Sequence, residues 1–105
     1  MNAKAKERLI ADGWVEGDAQ SFLGLSDAEM QLIKMRTALA KELRAQRRKR
    51  KISQARLAQQ VGSSQSRVAK MEAGDPTVSL DLLVKTLMVT GSTGRRIGKV
   101  IAAVG

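Results

Sequence analysis

Residues 52–76, ISQARLAQQVGSSQSRVAKMEAGDP, decide the fold of this chain. They contain two short amphipathic segments on either side of Gly62, and a serine able to cap a helix, Ser53 or Ser64, precedes each segment. Gly62 can adopt the positive φ that a tight turn between two helices requires. Ala58 is small at the point where two crossed helices would touch, and Val68 is β-branched and stiff. The residues expected to form the shared core of the two helices are Leu57, Val61 and Met71. The spacing predicts two short helices packed together across a tight turn.

A long helix is predicted before this pair. Ser26 and Glu29 have the spacing of a capping box, and no helix-breaking residue follows until about Lys49. Apolar residues recur along this segment at spacings of three and four, which predicts one buried stripe. The residues of that stripe are Leu32, Met35, Leu39 and Leu43. The stripe continues to position 47, where an arginine stands.

Two further helices are predicted after the pair. Ser79 opens the first of them, which Gly91 ends, and the second is expected over residues 93–103. The chain shows no strand-like alternation and has only two aromatic residues, so its core must be built from aliphatic side chains. The fold class is therefore all-α, with five helices in a domain of residues 26–105 that follows an N-terminal arm of residues 1–25.

The composition excludes several classes of function. The chain has no cysteine and no histidine, which removes disulfides, thiolate metal sites and the usual general base. Its ten acidic residues show no paired-carboxylate or metal-ligand spacing, so we expect no enzyme activity, no metal and no cofactor. No apolar run approaches the roughly 18 residues that cross a bilayer, and the N-terminus lacks the apolar centre of a signal peptide. We expect a cytoplasmic protein with no membrane partner.

Charge is distributed unevenly along the chain, whose net charge is +9. Residues 1–30 hold three cations against six acids, a balance of −3. Residues 31–105 hold sixteen cations against four acids, a balance of +12, and RRKRK at residues 47–51 directly precedes the helix pair. A strongly basic segment that follows an acidic N-terminal segment indicates a polyanionic partner for residues 31–105. A basic surface that serves only solubility is the alternative.

Residues 43–87, LRAQRRKRKISQARLAQQVGSSQSRVAKMEAGDPTVSLDLLVKTL, resemble the helix-turn-helix domain of phage repressors, the Cro/CI or XRE class. The resemblance places the helix-turn-helix unit at residues 53–73. It implies a five-helix, lambda-repressor-like DNA-binding domain that binds a palindromic operator in double-stranded DNA as a homodimer. An ordinary helical hairpin within a small bundle is the alternative.

The second helix of the unit is expected to read base edges. Val68 and Met71 should face the core, so the opposite face would enter the major groove of DNA. The expected base-reading residues are Gln65, Ser66, Ala69 and Lys70. A glutamine amide can bond to adenine N6 and N7, a lysine can donate to guanine O6 and N7, and a small alanine can contact a thymine methyl group.

A second set of residues is expected to hold the phosphate backbone. In the resembling family, the residue at the position of Gln54 binds a phosphate together with the positively polarised N-terminus of its helix. Cations around it would supply attraction that is independent of sequence. The expected phosphate-binding residues are Gln54, Arg48, Arg50, Lys51, Arg56 and Arg67. By the same resemblance, Arg47 and Glu72 form an internal ion pair.

Three functions follow from these observations. The first is a sequence-specific transcriptional repressor. The second is an antitoxin of a type II toxin–antitoxin pair, because residues 22–44, FLGLSDAEMQLIKMRTALAKELR, are similar to the HigA-like subgroup that pairs with RelE/HigB-like toxins. Its acidic arm would bind the toxin, although the arm could equally cover the long helix or extend a dimer interface. The third is RNA or nonspecific nucleoid binding, which the scarcity of stacking aromatics disfavours.

Overall fold

The computed structural model of the chain describes residues 23–104, so most of the predicted arm lies outside the described residues. These residues form five helices: α1 (Asp27–Lys49), α2 (Gln54–Val61), α3 (Gln65–Glu72), α4 (Leu80–Val89) and α5 (Gly94–Ala102). Residues 23–104 contain no strand, and the prediction of an all-α fold with five helices is confirmed. None of the helices in this range is long and apolar enough to cross a lipid bilayer.

A hydroxyl side chain caps the start of every described helix. Each accepts a hydrogen bond from the backbone N–H three residues further along, which satisfies one of the amides that a helix leaves unpaired at its start. The capping residues are Ser26, Ser53, Ser64, Ser79 and Thr93. At α1 the predicted capping box is confirmed, because the Glu29 carboxylate also accepts from the Ser26 N–H at 3.1 Å.

A left-handed residue follows the end of four helices. After α2, α3 and α4 this residue is a glycine, at Gly62, Gly74 and Gly91. After α1 it is Lys51, with a φ of 58°. The turn there is closed by backbone bonds from Lys51 N to Arg48 O and from Ile52 N to Arg47 O, at 2.9 and 3.4 Å.

The main core joins all five helices. Four of the five apolar residues predicted to join the helix pair are buried, namely Leu57, Ala58, Val68 and Met71, and the fifth, Val61, is half-buried. The other buried members of this core are Leu39, Leu43, Val78, Leu83, Leu87 and Ile97. α2 and α3 therefore share one core on either side of the turn at Gly62, as the spacing predicted.

The predicted buried stripe of α1 is wrong in its first half. Leu32 is 41% exposed and Met35 is half-buried, whereas Met30 and Ile33 are buried in a second, smaller cluster with Leu25. The first half of α1 packs against this small cluster, and its second half packs against the main core. Because the two clusters contact different faces of the helix, the buried residues do not follow one straight stripe.

A buried arginine on α1 holds the loop between α3 and α4, and the sequence analysis did not identify it. Arg36 is 8% exposed and donates from Nη1 to the backbone oxygen of Val78. Within the loop, the Asp75 carboxylate accepts from the N–H and the hydroxyl of Thr77, at 2.9 and 2.7 Å. These hydrogen bonds fix the backbone conformation of the loop between α3 and α4.

Candidate nucleic-acid interface

α3 presents a polar edge to solvent. Val68 and Met71, at 0% and 1% exposure, attach the helix to the core from behind. On the opposite side Gln65, Ser66 and Lys70 are exposed, as is Arg67, while Ala69 is half-buried. The structure thus places the four predicted base-reading residues on the accessible side of one helix, although their contacts with bases stay a prediction.

Two grooves flank α3. The first, called here the α1–α3 groove, is lined by Arg44, Arg47, Gln54, Ala69, Glu72 and Ala73. The second, called here the α3–α4 groove, is lined by Arg67, Lys70, Thr77, Val78, Ser79 and Leu82. α3 is therefore a ridge between two grooves, and both grooves carry cationic side chains.

An ion pair forms the floor of the α1–α3 groove. Arg47 donates from Nε and Nη2 to the two oxygens of Glu72, at 2.6 and 3.0 Å, and from Nη1 to the backbone oxygen of Ile52 at 2.9 Å. The bond to Glu72 holds the pKa of Arg47 above its usual value. Only 4% of the Glu72 side chain is exposed, and loss of one partner from a buried pair costs about 3–5 kcal/mol. The pair links α1 to the end of α3.

Gln54 extends this network to the start of α2. Its Nε2 donates to Glu72 Oε1 at 3.3 Å, so one carboxylate oxygen accepts from both Gln54 and Arg47. The side chain consequently lies along the wall of the α1–α3 groove, directly after the capping residue Ser53. Backbone amides at a helix start favour an anion, which suits the predicted phosphate contact.

The remaining predicted phosphate-binding cations differ in position. Arg48, Lys51 and Arg56 are exposed around the start of α2, and Arg56 also donates to Gln59 Oε1 at 3.4 Å. The guanidinium of Arg50 instead lies against the turn between α4 and α5, where a Cβ on Gly91 would collide with it. The structure therefore places the Arg50 side chain at that turn, and Arg67 lines the α3–α4 groove rather than the groove that contains Gln54.

The sequence analysis missed one cation of the α1–α3 groove. Arg44 is exposed on α1 and stands three residues before Arg47, a spacing that places both on one helix face. That spacing could have identified it. Residues 23–104 contain no cluster of acidic side chains arranged to hold a metal ion.

The comparison with protein families agrees with this geometry. Residues 43–93 match a family described as helix-turn-helix, a range that begins within α1 and includes α2, α3 and α4. The resemblance is thereby confirmed at the level of this family, and the match supports a DNA-binding regulator of transcription. It does not point to the HigA-like subgroup. No curated protein and no solved structure is significantly similar to the chain.

Proposed function

We propose that this protein is a sequence-specific transcriptional repressor that occupies a promoter through the exposed edge of α3. The observation that carries the proposal is the placement of this edge. Gln65, Ser66 and Lys70 are exposed on a helix that Val68 and Met71 fix from behind. A short helix presented in this way can enter the major groove of DNA and contact base edges there.

Base readout would depend on the first residues of α3. Gln65 is the first residue of the helix, and its amide can bond to adenine through one donor and one acceptor. Lys70 lies further along and can donate to guanine, and Ala69 can contact a thymine methyl group. Each good bidentate contact contributes about 1–3 kcal/mol of discrimination against the wrong base. Gln65 is therefore the main specificity residue of this proposal.

Phosphate contacts would orient α3 in the groove. Gln54 at the start of α2, with the nearby cations Arg48, Lys51 and Arg56, can hold one strand. Arg67 lines the α3–α4 groove, on another side of α3. Contacts on both sides of a recognition helix fix its register on DNA without carrying sequence information.

The proposed protein acts as a homodimer on a palindromic operator. One domain reads only a half-site, and two half-sites about 34 Å apart are read by two copies of the domain. The end of α4 offers an apolar surface for such pairing, with Met88 52% and Val89 40% exposed. Ile97 on α5 does not contribute to this surface, because it is 6% exposed and belongs to the core.

Selection of bound DNA from a random pool tests the proposal. We expect the wild type to enrich a palindrome and Gln65→Ala to lose the preference at one position of each half-site, with a loss of about 1–3 kcal/mol on the wild-type site. Gln60→Ala is the control, because Gln60 is an exposed glutamine of α2 outside both grooves. Enrichment of no sequence, or the same preference from Gln65→Ala, would refute the proposal.

The antitoxin function stays a second hypothesis. The charge balance of −3 over residues 1–30 favours it, because an acidic segment suits a basic ribonuclease. Most of that segment lies outside the described residues, so its contacts with a toxin remain a prediction.

A further inference from the structure

We propose that Arg44 is a further DNA-binding residue, whose guanidinium shares one backbone phosphate with Gln54 over the α1–α3 groove. This inference rests on the proposed DNA-binding function and adds a contact on α1. Arg44 is exposed, and its side chain lines the same groove as Gln54 and Ala69. An anion above the groove would therefore meet α1, the start of α2 and the flank of α3 together.

The other arginine of the groove is already engaged. Arg47 directs Nε, Nη1 and Nη2 to Glu72 and to the backbone of Ile52, all within 3.0 Å. Glu72 in turn is neutralised by Arg47 and is 4% exposed. The pair contributes no net charge to the groove, so Arg44 supplies the positive charge that an incoming phosphate would meet.

The acidic residue nearest to Arg44 in sequence, Glu42, has partners of its own. Its carboxylate accepts two hydrogen bonds from Arg96 on α5, both at 3.0 Å, and one from Gln46, also at 3.0 Å. Only 9% of the Glu42 side chain is exposed. Glu42 is therefore committed to the contact between α1 and α5, which leaves the Arg44 guanidinium for an external anion.

A phosphate contact has a specific signature in the salt dependence of binding. Each neutralised phosphate contributes about −0.9 to the slope of log K against log salt. We expect Arg44→Ala to make this slope less steep by about 0.9 per subunit. Affinity for a selected operator and for unrelated DNA should fall by the same factor, and the preferred sequence should not change.

The control is Arg95→Ala, which removes the same charge from an exposed arginine of α5 outside both grooves. We expect it to leave the slope within about 0.3 of the wild-type value, since a distant charge forms no phosphate contact. Both variants should melt at the wild-type temperature, because both side chains are exposed. Arg44→Lys should retain most of the wild-type slope.

A methylphosphonate scan locates the shared phosphate. One neutral methylphosphonate is placed at each backbone position of a DNA duplex that the wild type binds. At the shared position we expect the substitution to weaken binding by the wild type. Arg44→Ala and Gln54→Ala should each have a reduced response at that same position, because each variant keeps one of the two contacts.

The outcomes separate the two proposals. If the wild type binds DNA but Arg44→Ala keeps its slope and its response at every phosphonate, the Arg44 inference is wrong and the proposed function stands. If Arg44→Ala and Gln54→Ala have reduced responses at different methylphosphonate positions, the proposal that the two residues share one phosphate is wrong. If the wild type binds no DNA, both proposals are refuted.

Discussion

Lys51 occupies a backbone conformation that L-residues rarely adopt. Its φ of 58° is left-handed, and the corresponding positions after three other helices are glycines. A side chain in this conformation costs roughly 1 kcal/mol relative to glycine. The lysine is exposed and stands two residues before the capping serine of α2, beside the predicted phosphate contact of Gln54. Strained residues cluster at functional sites, which supports a binding role for its charge.

Replacement of Lys51 by glycine should therefore have opposite effects on stability and binding. We expect Lys51→Gly to raise the free energy of unfolding by about 0.5–1 kcal/mol, because the left-handed strain is removed. Its affinity for DNA should fall, with a salt slope less steep by about 0.9. Denaturant unfolding and DNA titration measure the two effects. Lys51→Arg is the matched control and should change neither, and a stabilised variant with unchanged affinity would contradict the binding role.

Single residues were predictable where their surroundings are local in sequence. The burial of Val68 and Met71 follows from helical spacing around Gly62, so the outward position of Gln65 could be predicted. Arg36 could not be identified in this way. Its partner, the backbone oxygen of Val78, lies 42 residues away, and only the folded chain brings the two together.

At the scale of the elements, one ion pair attaches α5 to α1. Arg96 donates two hydrogen bonds to the Glu42 carboxylate. These bonds, together with the bond from Gln46, hold the pKa of Glu42 below its usual value of 4.5. A carboxylate whose pKa is lower in the folded state than in the unfolded state stabilises the fold at pH values above the unfolded-state pKa. This contribution is lost as the pH falls through the folded pKa.

The pH dependence of stability follows from this pair. We expect Glu42→Gln to melt at a lower temperature than the wild type at pH 7, because the charge-assisted bonds to Arg96 are lost. The difference should shrink as the pH falls from 4.5 through the lower pKa of the folded state, where the Glu42 carboxylate of the folded wild type becomes protonated. Thermal melting between pH 3 and pH 7 measures it. Arg96→Gln should show the same trend, and Arg95→Gln should not. A difference in melting temperature between Glu42→Gln and the wild type that is constant with pH would exclude a stabilising ion pair.

Helix boundaries were predictable because caps act over a few residues. The capping serines and the terminating glycines lie within three residues of the helix ends that they determine. The buried face of α1 was predicted less well. It depends on which distant segment covers each turn, and the cluster around Leu25 covers a different face from the main core.

For the whole molecule, the grooves on both sides of α3 are formed by walls from different parts of the sequence. Arg44 belongs to α1, whereas Thr77 and Ser79 belong to the segment before α4. Base-reading candidates could be chosen from one helix alone. The groove cations could not all be chosen, because membership in a groove depends on how α1 and the segment that leads into α4 lie beside α3 in the folded chain.

The charge of the molecule predicts a steep salt response. Five exposed cations are expected to contact phosphates: Arg44, Arg48, Lys51, Arg56 and Arg67. At about −0.9 per contact, the slope of log K against log salt should be roughly −4 to −5 per subunit. Titrations of a selected operator and of a scrambled duplex at several salt concentrations measure it. Both slopes should be similar, and a flat response would contradict DNA binding through these residues.

The family match begins at Leu43, although α1 begins at Asp27. Leu39 and Ala40, which are buried, and Arg36, which holds the loop after α3, all precede that boundary. A gene rearrangement that transferred only the matched residues would leave these supports behind. The structural unit is therefore longer than the matched range, and it includes the part of α1 that begins at Arg36.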